Sequence, residues 1–150
     1  MKKTLLCVSF SVILVCGCVS ATKAQAPETG NAQNNPALAK SLVGGLFEKY
    51  RSFTLQAFSD AIAPDFVPLR NEFITAASQN AHASDVLDID FSIEKILPAN
   101  ELLSVSIKWR KRSRALGSSE VVLNQGEADL VFKQSQNNWK LYQVNGESPF

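Results

Sequence analysis

The chain has 150 residues, 15 basic and 14 acidic side chains, a formal charge of +1 and a single histidine, His82. That balance leaves no basic excess to condense on nucleic acid, and one imidazole excludes a zinc site built on several histidines. A hydrophobic share of 45% against 19% charged suits one globular domain once a leader and a linker are set aside.

Lys2 and Lys3 precede an apolar run from Leu5 to Val15, which Cys16-Gly17-Cys18 closes. Basic start, apolar centre and small-residue end are the order of a secretory signal. The run is about half the roughly 20 residues needed to cross a bilayer. Val15-Cys16-Gly17-Cys18 resembles the bacterial lipobox, in which a small residue precedes a cysteine that receives lipid. The resemblance implies that residues 1–17 are a lipoprotein signal peptide and that Cys18 is lipidated. It places the protein on the periplasmic side of the cell envelope, held to the membrane by the lipid. Val19 rather than Asp follows the anchor, which favours the outer membrane by the sorting rule of such lipoproteins. Losing Lys2 and Lys3 turns the charge of +1 into −1. Cys7, Cys16 and Cys18 all lie in this region, so the exported domain has no thiol for a disulfide or a thiolate metal site. No metal and no cofactor is expected.

Residues 18–35 form the lipidated anchor and a linker rich in Ala, Thr, Gln, Asn, Pro and Gly. They hold almost no large apolar side chain to offset the cost of ordering them, so a disordered tether of roughly 20–25 Å r.m.s. span is expected. The domain then spans residues 36–150. Asn35-Pro36 starts a helix, with Asn as cap and Pro in the first turn. Leu38, Leu42, Leu46, Phe47, Tyr50 and Phe53 give it an apolar stripe to about Ser52, interrupted by Gly44-Gly45. Ser52 or Thr54 caps a second helix with Leu55, Phe58 and Ile62, which Pro64 ends. Pro68 opens a third, with Leu69, Phe73, Ile74 and Ala77 facing inward and residues 79–84 as loop. No strand is expected before Ser84.

From Asp85 the period changes to two. Leu87, Ile89, Phe91 and Ile93 alternate with polar residues. So do Leu103, Val105, Ile107 and Trp109, then Ala128, Leu130 and Phe132, then Trp139 and Leu141. Turns at Pro98-Ala99-Asn100, Gly117-Ser118-Ser119 and Gln136-Asn137-Asn138 join four strands into an antiparallel meander. Its outer face sets Asp90 opposite Lys108, Asp88 opposite Arg110, Arg110 opposite Glu127 and Lys108 opposite Asp129. Lys111, Arg112 and Arg114 are left free for anionic headgroups, and Val131, Tyr142 and Val144 make an apolar island. The fold class is α+β, three N-terminal helices on a four-stranded antiparallel meander.

Three helices, a long meander and a closing Trp139-Lys140-Leu141-Tyr142-Gln143-Val144-Asn145-Gly146-Glu147-Ser148-Pro149-Phe150 resemble the nuclear transport factor 2-like, or SnoaL-like, superfamily. Gly126-Glu127-Ala128-Asp129-Leu130-Val131-Phe132 resembles a strand of its small exported bacterial members. The resemblance covers roughly Pro36 to Phe150. It implies a strongly curved sheet wrapped on a helix with a conical pocket between, and no particular reaction, because this fold hosts both enzymes and inert modules.

Enzymes on this cone set a carboxylate base and a Tyr or acidic donor in an apolar pocket, where burial raises the base's pKa. The inward strand positions contain no titratable residue, so a base must come from Asp60, Asp65 or Glu72, with Tyr50 as donor. Tyr50 with Asp60 or Asp65 is thus the candidate for an isomerase- or dehydratase-like enzyme. A non-catalytic binding module is the leading reading. It holds a small apolar ligand among Phe91, Trp109, Phe132 and Trp139, with Gln143 as polar anchor, or forms a homodimer by the outer sheet face. His82 reads as a surface histidine in a polar loop. Asp85, Asp88 and Asp90 read as strand alternation rather than a calcium loop, whose turn glycine is absent. The lipid anchor is directly testable: cells expressing the protein should incorporate labelled palmitate into it, and Cys18→Ala should abolish the label.

Overall fold

The computed structural model describes residues 35–136 and 138–150. The signal peptide at residues 1–17, lipidation at Cys18 and most of the linker at residues 18–35 lie outside the described residues.

Helix α1 (Pro36–Arg51) starts as its sequence dictates: Asn35 Oδ1 accepts from the backbone N–H of Ala37 and Leu38. It buries Ala39, Val43, Leu46, Phe47 and Tyr50. The helix runs unbroken through Gly44, where an added Cβ would lie 3.9 Å from the Phe91 ring. Thr54 Oγ1 caps the short α2 (Leu55–Asp60), which buries Phe58.

The first departure from expectation follows. Ile62 does not continue α2; it opens strand β1 (Ile62–Val67), which pairs parallel with the last strand. This corrects both the four-strand count and the expectation of no strand before Ser84. Helix α2 stops at Asp60, so Pro64 does not end it but lies inside β1, a second correction. It is tolerated in β1 because β1 is an edge strand, where a missing N–H costs no ladder bond. Six residues with one proline carry too little alternation to announce a strand. A cis Val67-Pro68 bond leads to α3 (Arg70–Ala83). This helix absorbs residues 79–83, expected as loop, and leaves Leu69 exposed at its N-cap.

The remaining strands are β2 (Ser84–Ala99), β3 (Leu102–Ala115), β4 (Val121–Ser135) and β5 (Asn138–Gly146). The five-stranded sheet has the order β1-β5-β4-β3-β2, with the last four an antiparallel meander. Its register differs from the expected one. Asp90 lies opposite Arg110, Asp88 opposite Arg112 and Lys108 opposite Glu127. The turn between β2 and β3 is Asn100-Glu101, with Asn100 at φ 52°, one step later than expected. Bulges between Val86 and Asp88 and between Ile93 and Lys95 shift the pairing further. The first bulge makes Val86 rather than Leu87 the residue that packs on the core; Leu87 is exposed. A bulge in the β4–β5 ladder pairs Leu130 with Val144 and Val131 with Gln143. Leu130 is buried, so Val144 faces inward and Gln143 outward, the reverse of both expectations.

One face of the sheet buries Leu103, Val105, Ile107, Trp109, Ala128, Leu130, Phe132 and Leu141 against the helices. The chain after β5 completes that interior. Gly146 has φ +86°, and a Cβ there would lie 2.7 Å from the Glu127 carbonyl. The backbone reverses at that point, and the Glu147 N–H bonds to the Glu127 carbonyl at 2.9 Å. Pro149 and Phe150 then enter the core. Gly126 makes room for this path: a Cβ there would sit 2.9 Å from the Trp109 ring and 2.9 Å from Glu147 Cβ. Gly126→Val should therefore lower the unfolding free energy by about 1–3 kcal/mol, read from urea denaturation.

Candidate functional site

The cone interior was the expected site. The structure places an aromatic cluster there, drawn from all three helices. Phe150 lies with its ring centroid 5.7 Å from Phe47, 5.3 Å from Tyr50, 5.6 Å from Phe58 and 5.9 Å from Phe73. The space that a ligand's ring would take is held by the chain itself. Of the expected pocket residues, Trp109 and Phe132 are buried, and Phe91 and Trp139 are half-buried against the core. Phe91 meets Phe47 edge-on at 5.3 Å. Gln143 is not among them; its amide donates to Asn145 Oδ1 at 2.8 Å on the outer side.

The polar groups around this interior are not the expected ones. The inward alternation Leu103-Val105-Ile107-Trp109 continues through Lys111 to Ser113. Lys111 therefore turns inward, which corrects the expectation that the strands contribute no titratable group to the cone. Its Nζ lies 5.4 Å from the Tyr50 ring centroid and donates to the Pro149 carbonyl at 2.7 Å. Burial pushes its pKa below the usual lysine value. Asn80 of α3 donates to the main-chain oxygen of Phe150 at 3.1 Å, and Trp109 Nε1 donates to the Glu147 carbonyl at 2.8 Å. Three inward donors thus hold three main-chain oxygens of one segment, those of Glu147, Pro149 and Phe150. Beside them a cleft of about 430 Å³ is lined by Asn80, Lys111, Ser113, Asn124, Ser148 and Phe150. The sequence signal for Lys111 was the parity of β3 itself, carried two steps beyond the last apolar residue.

The candidate acid–base groups do not converge. Tyr50 is 1% exposed, its hydroxyl has no hydrogen-bond partner among the described residues, and burial pushes its pKa up to about 12. It does not stand at the rim. Asp65, on β1, is exposed and paired with Lys133, whose hydrogen bond holds the carboxyl below the usual range. Asp60 accepts from Gln56 Nε2 at 2.9 Å on the surface, and Glu72 is exposed in the first turn of α3. His82 lies in the last turn of α3, not in a loop, with Nδ1 2.7 Å from the Ser78 carbonyl oxygen. Among the described residues no cluster of His, Cys, Asp and Glu could hold a metal ion.

The outer face carries the acidic, basic, acidic order that the sequence suggests, one register step away. Asp85 pairs with Arg114 at 3.2 Å, Asp88 with Arg112, and Asp90 with Arg110 at 3.9 Å. Lys108 lies 3.7 Å from both Glu94 and Glu127. Arg112 and Arg114 are therefore not free cations for headgroups, and Lys111 faces the other way. These pairs are mostly exposed and contribute little stability each. A second cleft, of about 550 Å³, crosses these strands at Asp90, Phe91, Trp109, Arg110, Gly126 and Glu127.

No protein-family model matches the sequence, and no curated protein does. Solved structures do match. A nuclear transport factor 2-like protein from Cytophaga hutchinsonii superposes with a TM-score of 0.63 at 13% identity, covering 77% of this chain and 98% of that one. A conserved protein from Planctomyces limnophilus gives 0.62 at 18% identity, covering 73% and 94%. A ketosteroid isomerase-like protein from Erwinia carotovora atroseptica gives 0.59 at 10% identity, covering 75% and 96%. At these identities the likeness is one of fold.

Tyr50 gives a stability test with a definite sign. Burial raises its pKa in the folded protein from the usual 10.0 to about 12, so the folded protein holds its proton between pH 10 and about 12 while the unfolded chain releases it. The neutral form's contribution is present below pH 10 and is lost as pH rises towards 12. Tyr50→Phe should be neutral or stabilising by up to about 1 kcal/mol at neutral pH, since it deletes an unpaired buried hydroxyl. It should also flatten the alkaline fall in stability, measured by urea denaturation across that range.

Proposed function

We propose that this nuclear transport factor 2-like domain is a non-catalytic binding module, tethered to the bacterial envelope through lipid on Cys18. The supporting observation is the closed cone: Pro149 and Phe150 fill its centre, and Asp60, Asp65 and Glu72 all stay outside. General acid–base catalysis needs a carboxylate within hydrogen-bond reach of the substrate. Here the carboxylates nearest in sequence to Tyr50 serve surface pairs instead. The solved structure described as ketosteroid isomerase-like is similar to this chain in fold alone. On the isomerase or dehydratase alternative, Tyr50→Phe and Asp65→Asn would remove a rate. On the binding reading they leave function intact.

Two partners suit such a module. One is a second copy of this chain at the outer sheet face, where the alternating acidic and basic strands are self-complementary and Val121 and Leu123 add exposed apolar area on β4. The other is a small ligand in the cleft beside Asn80, Lys111 and Ser148, since the cone's centre is filled. Both act on the periplasmic side of the envelope, with the outer membrane favoured by Val19 after the anchor. For the sheet-face reading, sedimentation velocity should show a dimer at micromolar concentration, and Arg110→Glu should shift it towards monomer with unchanged melting. A wild-type protein that stays monomeric would remove the dimer from this proposal.

A further inference from the structure

A sheet edge is a row of main-chain donors and acceptors that another strand can take up, and natural proteins guard it with charge, proline or bulges. The two outermost strands here are guarded. β2 carries Asp85, Asp88, Asp90, Glu94, Lys95 and Pro98, with two bulges in its ladder. β1 holds Pro64 and Asp65. A further edge lies inside the sheet order. β5 pairs with β4 only from Ala128 onward, so among the described residues no strand lies beside Val121 to Gln125 on that side. This stretch carries none of those guards. Val121-Val122-Leu123-Asn124-Gln125 has no charge and no proline, and its pairing with β3 runs without a bulge. Val121, Val122 and Leu123 are 49%, 46% and 57% exposed. The cations beside them are drawn away. Arg112, opposite Leu123, and Arg114, opposite Val121, reach to Asp88 and Asp85 of β2.

The open groups follow from one bond. The Glu127 carbonyl accepts from the Glu147 N–H on the β5 side, and main-chain groups alternate in direction along a strand. The N–H and C=O of Val121, Leu123 and Gln125 therefore point to the open edge, and those of Val122 and Asn124 point to β3. We propose that this edge pairs antiparallel with the same edge of a second copy, about a two-fold axis at Val122, so that one sheet runs through both molecules. In that register Val121 of each copy meets Leu123 of the other, and Val122 meets Val122. The apolar residues then cover one another. An axis at Leu123 would instead set Val121 against Gln125 and Val122 against Asn124. Charge agrees with the first register. Glu120 falls opposite Asn124, whose neighbour on β3 is Lys111, so the two Glu120 side chains stand at opposite ends of the seam. Such pairing uses up the edge of both copies and closes at a dimer. The inference rests on a second copy being the partner, and it sets the contact along a strand edge rather than across the sheet face.

The test uses the full chain. Val122→Cys puts a thiol on the axis, where facing residues of a non-hydrogen-bonded pair have Cα atoms about 4.5 Å apart, within disulfide range. Mild oxidation of membranes from expressing cells should then give a covalent dimer on a non-reducing gel. The wild-type chain sets the background, since its three cysteines all precede the domain. Glu120→Cys and Asn124→Cys should each give little dimer alone and a strong one when co-expressed, because each faces the other. In sedimentation velocity, Leu123→Pro deletes an edge N–H and no bond to β3, so it should weaken the dimer at least roughly tenfold. Leu123→Lys should do the same by charge, with the backbone untouched, and it decides alone if the proline variant does not fold. Arg110→Glu should leave this dimer unchanged. A dimer lost in Arg110→Glu but kept in both Leu123 variants, with no cross-link through Val122→Cys, would overturn this inference and leave the sheet-face contact standing. A cross-link through Val122→Cys that Leu123→Lys does not reduce would overturn it as a chance collision of thiols. A wild-type protein that stays monomeric, with no cross-link, would overturn the edge and the face together.

Discussion

The ring of Phe150 stands where aromatic side chains from three helices meet, and the interior is arranged around it. Phe47 and Tyr50 come from α1, Phe58 from α2 and Phe73 from α3. Protein interiors pack to crystal-like density, so a curved sheet laid over helices must either fill the hollow or leave it to a ligand. This chain fills it with its own segment. Two glycines make that possible, for different reasons. Gly146 turns the backbone through a left-handed conformation, and Gly126 removes the side chain that would block the returning segment at Glu147 beside Trp109. The same packing that completes the core therefore occupies the hollow where a pocket was expected.

Filling the hollow in this way sets the polarity of the site. The inward side chains of β3 run from apolar to polar, from Trp109 to Lys111 to Ser113. The apolar end closes on the helices. The polar end meets main-chain oxygens to satisfy, and Lys111, Asn80 and Trp109 each take one. Buried carbonyls need such partners, and a segment without secondary structure has no ladder of its own to provide them. The aspartate side chains went elsewhere. Asp65 spans to Lys133, and Asp85, Asp88 and Asp90 lie along the outer face with the arginines of β3. Charge is thus sorted by strand parity: the outer face is paired and neutralised, and the inner face keeps one cation over an aromatic ring.

Strand parity also explains where reading the sequence succeeded and where it slipped. Within a strand the inward residues were legible, because side chains alternate with period two. Leu103, Val105, Ile107, Trp109, Ala128, Leu130, Phe132 and Leu141 all face the core as that rule requires. Across bulges the rule reverses without any local signal. Leu87 was lost to the surface and Val144 gained for the core at two such places. Gln143 moved with Val144, so the expected polar anchor of the pocket turned outward. Lys111 was missed differently. Its position obeyed the alternation, but a charged residue reads as solvent-facing unless the parity is followed to the end of the strand.

The sequence by itself determined the three helices, the switch to long strands after them, the Asn35 and Thr54 caps, the apolar faces that must meet and the acidic and basic ordering of the outer strands. These depend on neighbours a few residues away, where propensity, capping and periodicity act. Tertiary structure alone decided the register between β2 and β3, the parallel β1 at the edge, the inward turn of Lys111 and the entry of Phe150 into the cone. Each joins parts far apart in the chain: β1 is recruited by β5, and Phe150 by helices that begin at Pro36, Leu55 and Arg70. Such contacts carry no local periodicity. They form because the hollow under a curved sheet must be filled, and which residues fill it is settled only when the whole sheet has closed over the helices.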